Sequence, residues 1–147
     1  MKLLACVVPF LLLLPACGSK GSTTIVPANN NTAQPPVDDH GHGPQQSLGN
    51  LTVGAHTFEV VQAGAVQAGE EAVLYLKFPA GKPLPTTVRA WIGVASGEGS
   101  MKGKLTKDGE SQLHGHCDAP AKLPEGSKVW VEIEENGAKA TGSVAWK

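Results

Sequence analysis

The sequence predicts an all-β fold, a seven-stranded antiparallel sandwich. Three observations carry the prediction. From Leu51 onward apolar and polar residues alternate with period two. The alternating runs are cut repeatedly by Gly, Pro, Asn and Asp, which punctuate strands. No segment shows the 3.6-residue apolar period of a helix.

The strands are expected at 52–62, 71–78, 86–95, 100–107, 111–118, 127–135 and 138–146. In the second, Ala72, Leu74, Leu76 and Phe78 share a face. In the third, Val88, Ala90, Ile92 and Val94 do, and in the sixth, Val129, Val131 and Ile133. Two turns set register. Asn136-Gly137 is a strong two-residue hairpin signal. It places Ile133, Val131 and Val129 opposite Ala140, Gly142 and Val144, all inward. Outward, Glu134 meets Lys139 and Trp130 meets Ser143. Around Asp108-Gly109 a three-residue loop with a bulge sets Leu105 against Leu113. The same register puts Lys104 opposite His114, Lys102 opposite His116, and Met101 opposite Cys117, the last pair inward.

Seven short strands in this arrangement are the pattern of an immunoglobulin-like sandwich. Residues 51–147 resemble small extracytoplasmic immunoglobulin-like domains of bacteria, including those of copper-resistance proteins. The resemblance lies in strand number and layout. The strand-linking disulfide of antibody domains is absent, and Trp91, where those domains bury a Trp, has outward parity. The folded domain is set at 50–147.

The N-terminus reads as a secretory leader. Lys2 is its basic end, Leu3 to Leu14 is its apolar run, and Ala16 is the small residue before a cleavage point. The run is too short to span a bilayer, which takes ~20 helical residues. Leu14-Pro15-Ala16-Cys17 resembles the lipobox of bacterial lipoproteins. The resemblance implies cleavage before Cys17 and lipid on its thiol, which would anchor the protein in the cell envelope. Two or more acyl chains hold a protein stably on a membrane where one does not. Gly18, in place of Asp, implies the outer membrane if the organism has one. The resemblance thus implies that residues 1–16 are a lipoprotein signal peptide and that residues 17–49 are the lipidated cysteine and a linker rich in Ser, Thr, Asn, Gln, Pro and Gly. Such a segment buries too little apolar surface to order itself. Its r.m.s. reach is roughly 30 Å.

With Lys2 removed, eleven basic residues face thirteen acidic ones. That balance excludes an electrostatic case for nucleic acid. Of the three cysteines, Cys6 leaves with the leader and Cys17 is lipidated. Cys117 remains alone, so the mature fold is held without a disulfide.

Four groups are candidates for chemistry. His114 and His116 in His-Gly-His-Cys project from one strand face, roughly 7 Å apart. They could share a copper or zinc ion, aided by Cys117 or by the linker histidines. Against this, Cys117 has inward parity, the register brings lysines to the histidines, and solvent-facing histidines on a strand are the alternative. His40 and His42, in Asp38-Asp39-His40-Gly41-His42, are a second weak copper or zinc candidate within the linker. Trp91 and Trp130 share outward parity on strands that an immunoglobulin-like layout makes neighbours, flanked by Arg89 and Lys128. They read as an interaction face, unless a loop or long cationic stems cover them. His56 reads as a packed strand histidine.

No nucleophile elbow, His-Glu-x-x-His helix or phosphate loop is present. The expected function is a lipid-anchored, non-enzymatic envelope module that binds a protein or polymer. The alternative is a periplasmic copper- or zinc-binding protein built on the His-Gly-His-Cys segment.

Overall fold

The computed structural model describes residues 42–147. Among them are eight strands and no helix. In chain order they are β1 (Gln45–Val53), β2 (His56–Ala63), β3 (Glu71–Lys77), β4 (Thr87–Gly93), β5 (Gly103–Lys107), β6 (Gln112–Asp118), β7 (Lys128–Glu135) and β8 (Ala138–Val144). All ladders are antiparallel, in the order β1-β2-β3-β6-β5-β4-β7-β8.

Strands β2-β3-β6-β5 and β4-β7-β8 reproduce the two sheets of a seven-stranded immunoglobulin-like sandwich. β1 is an eighth strand added at the edge. Strand β5 pairs with both β6 and β4, so the sheets run into one another. At the other side β1 and β8 lie against each other. There the backbone of Gly142 sits so near β1 that a Cβ on it would come within 2.9 Å of Val53 Cγ2. The sandwich is thus nearly closed into a barrel.

The extra strand corrects two sequence expectations. The predicted strand 52–62 breaks at Gly54-Ala55, where β1 turns into β2. Gly54 has φ +59°, the glycine-first geometry of a two-residue hairpin loop. The linker, expected to run to residue 49, gives way to strand at Gln45. This segment is polar because it lies at a sheet edge. Leu48 is the one buried residue among 45–49, and the register slips between Ser47 and Gly49.

The Asn136-Gly137 hairpin has the expected register throughout. Asn136 and Gly137 both take positive φ, 50° and 77°, as a type I′ turn requires. The β5–β6 hairpin differs. Its three-residue loop is Gly109-Glu110-Ser111, because Asp108 and Gln112 form the last rung. The Asp108 N–H donates to the Gln112 carbonyl at 2.9 Å, and Gln112 Nε2 donates to Asp108 Oδ2 at 3.0 Å. Thr106 therefore faces His114 and Lys107 faces Leu113. The slip of two residues preserves every side chain's face but changes every partner. Met101 is not opposite Cys117 and lies exposed.

The core is the inward face of both sheets, including Phe58, Leu74, Leu76, Ile92 and Val131, with Trp146 packed against it. Each fully buried aliphatic or Phe side chain contributes about 1.5–3 kcal/mol, which lets the fold stand without a disulfide. Val61, Ala63, Val73 and Tyr75 form a second buried cluster. They lie on the opposite face of β2 and β3, so β3 is buried on both sides.

Candidate metal centre

His114 and His116 lie on β6, on the face opposite the core, with inward-facing Gly115 between them. Gly115 is required by packing. A Cβ there would meet the Lys104 carbonyl oxygen at 2.8 Å and Leu105 Cγ at 2.9 Å. The adjacent strand β3 places Tyr75 opposite His114 and Val73 opposite His116. The Tyr75 ring stacks on His114 at 4.6 Å with 20° between planes. Glu71, at the start of β3, brings Oε1 to 2.7 Å from His116 Nδ1.

The third histidine comes from outside the strands. His42 precedes β1 in the segment His42-Gly43-Pro44. Gly64 anchors that segment by donating its N–H to the Pro44 carbonyl at 3.2 Å. Gly43 and Gly64 take φ of +84° and +72°, which only glycine adopts freely. The His42 ring thereby reaches both strand histidines, with centroids 4.9 Å from His116 and 5.4 Å from His114. The His114 and His116 rings are 4.9 Å apart.

One nitrogen from each of the three half-buried rings lies within 4.8 Å of the others. Zinc–imidazole bonds are about 2.0–2.1 Å, so two nitrogens on one tetrahedral ion stand about 3.3–3.4 Å apart. Side-chain rotation would have to close the difference for one ion to meet all three. Three imidazoles suit zinc or copper and leave room for a further ligand.

The expected opposition changes: Lys102 is drawn away from His116, and the register sets Lys104 toward His116 instead of His114. Lys102 Nζ is 2.9 Å from Glu132 Oε2 and 4.1 Å above the Trp91 ring, and Thr106 is the residue facing His114. Cys117 does not join the site. Its side chain is in the core, with Sγ donating to the Ala90 carbonyl at 3.3 Å. Burial pushes its pKa up to about 12, only partly offset by a backbone hydrogen bond at Gly103. A thiol held neutral there is no metal ligand. Cys17, His40 and the lipobox lie outside the described residues. His56 pairs with Glu135 at 3.0 Å and packs edge-on to Phe78.

The aromatic interaction face is corrected. Trp91 and Trp130 are cross-strand neighbours as expected, stacked at 6.0 Å and 11°. Yet Trp91 is fully buried and Trp130 half-buried. Their indole N–H groups donate to Val94 and Gly93 carbonyls at 2.8 and 2.9 Å. Lys102 roofs Trp91. Arg89 is engaged by Glu132 and Glu134 at 3.8 and 3.5 Å, and Lys128 remains exposed at the strand end. Buried Glu132 collects Lys102, Lys139 and Arg89. The Lys102 hydrogen bond chiefly holds its carboxyl below the usual range, against the opposing effect of burial.

Sequence reasoning missed Glu71 and Tyr75. The alternation that turns Ala72 and Leu74 inward also turns Glu71, Val73 and Tyr75 toward the histidine face. The immunoglobulin-like strand order makes the strand carrying them a neighbour of the His-Gly-His strand, so the signal was present.

Compared with protein-family models, curated proteins and solved structures, the chain matches none of them.

Proposed function

We propose that this is a lipid-anchored, extracytoplasmic metal-binding protein that holds copper or zinc on His42, His114 and His116. The convergence of His42 on the two β6 histidines supports this reading. Two histidines two residues apart are what any polar strand face can show. A third, brought in from ahead of β1 by a glycine-shaped segment, makes a donor set. The anchor rests on Leu14-Pro15-Ala16-Cys17. Structural zinc sites are closed by four protein ligands. Three half-buried imidazoles leave a coordination position open, which suits an ion that is taken up and released, and we read the role as binding or delivery.

The reading as an aromatic docking module loses its main support because Trp91 is covered. Titration of the full chain with Cu(II) and Zn(II) tests the proposal. Saturable binding of one ion, lost in His114→Ala, is expected. No binding tighter than about micromolar, roughly 8 kcal/mol, would remove it.

A further inference from the structure

Resting on the metal-binding reading above, we propose that Glu71 is the positioning residue of the centre, and that its charge makes the site select a divalent over a monovalent ion. Glu71 sits two ladder rungs from His116, opposite Asp118. Its side chain is 57% exposed, yet it turns to the ring, with Oε1 2.7 Å from Nδ1. An ionised carboxylate only accepts hydrogen bonds, so Nδ1 is the protonated nitrogen and donates. The lone pair is then confined to Nε2, which must be the atom that meets the ion.

Two consequences follow from that contact. A carboxylate behind a ligating imidazole fixes the ring's tautomer and angle and makes it a stronger donor. It also places a negative charge beside an ion whose three direct ligands are neutral. Coulomb attraction grows with the charge of the ion. Glu71 therefore favours Cu(II) and Zn(II) over Cu(I). Cys117, the soft ligand that would favour Cu(I), is on the other face of β6 with its thiol in the core.

The test is Glu71→Gln in the full chain, which keeps the side chain's length and an acceptor oxygen but removes the charge. Cu(II), Zn(II) and Cu(I) affinities are measured by competition, with the reduction potential of the bound copper. Glu71 is exposed at a strand start, so the metal-free melting temperature should not move. Cu(II) and Zn(II) binding should weaken about 10–100-fold, and Cu(I) binding less. The potential should rise by about 59 mV for each tenfold difference between the two copper states. Unchanged Cu(II) affinity, or equal loss for Cu(II) and Cu(I) with no change in potential, overturns the inference while leaving the site itself intact. Failure of the wild-type chain to bind any of the three ions overturns the metal-binding reading on which it rests.

Discussion

Replacing Gly115 with Ala should damage the fold at the point that sets the histidine spacing. The added Cβ would stand 2.8 Å from the Lys104 carbonyl oxygen, 2.9 Å from Leu105 Cγ and 3.0 Å from Leu105 Cα. Two of these atoms belong to backbone, so no rotamer change relieves the contact. β6 must move away from β5, opening the core beneath Leu105 and Leu113. Overpacking of this kind costs about 1–3 kcal/mol. A domain near 100 residues loses about 4–8 °C of melting temperature per kcal/mol, so a fall of about 4–24 °C is expected. Calorimetry of the metal-free protein measures it, with urea unfolding as a check on the free energy. Because His114 and His116 ride on the displaced strand, metal should also raise the melting temperature of the variant less than that of the wild type. A variant melting within a degree of wild type would show that β5 and β6 are not packed this closely.

Further outcomes follow from the same geometry. His42→Ala should leave metal-free melting unchanged and weaken Cu(II) binding at least tenfold, about 1.4 kcal/mol, by competition titration. A stable variant with wild-type affinity would remove His42 from the site. Cys117, with its pKa pushed up to about 12 by burial, should resist alkylation at pH 8 until the protein is unfolded. Rapid labelling of native protein, followed by mass spectrometry, would contradict its place in the core. Trp91→Ala should cost about 3–5 kcal/mol in urea unfolding, since the ring is buried; a shift under 1 kcal/mol would restore an exposed aromatic face. Glu132 has a depressed carboxyl pKa, so its contribution is present above the ordinary carboxylate range and is lost as pH falls through the folded value. Melting temperature against pH should therefore show an acid-side loss that is smaller in Glu132→Gln.

The strand pattern was readable where turn chemistry and alternation agree. Asn136-Gly137 fixes both the loop and every rung beyond it. Around Asp108-Gly109 the side-chain faces were readable but the partners were not, because the Asp108–Gln112 rung is a three-dimensional contact with no pattern of its own. β1 was hidden because its exposed residues, among them Gln45, Gln46 and Ser47, have the composition of a linker. Parity gave the correct side for Trp91 but could not reveal Lys102 reaching over it from the neighbouring β5 side. All three candidate ligands were named in the sequence, His114 and His116 as a strand pair and His42 as a linker histidine. That His42 reaches the pair depends on the path of the chain ahead of β1, which Gly43 and Gly64 shape and alternation does not encode.

The most direct measurement is Cu(II) and Zn(II) titration of the full chain in detergent, beside a variant carrying His42→Ala, His114→Ala and His116→Ala together. One ion per chain should bind the wild type, with nitrogen ligands in the Cu(II) resonance spectrum, and the triple variant should lose that site while keeping its melting temperature. Equal binding by both proteins, or none by either, would contradict a metal centre at this face of β6.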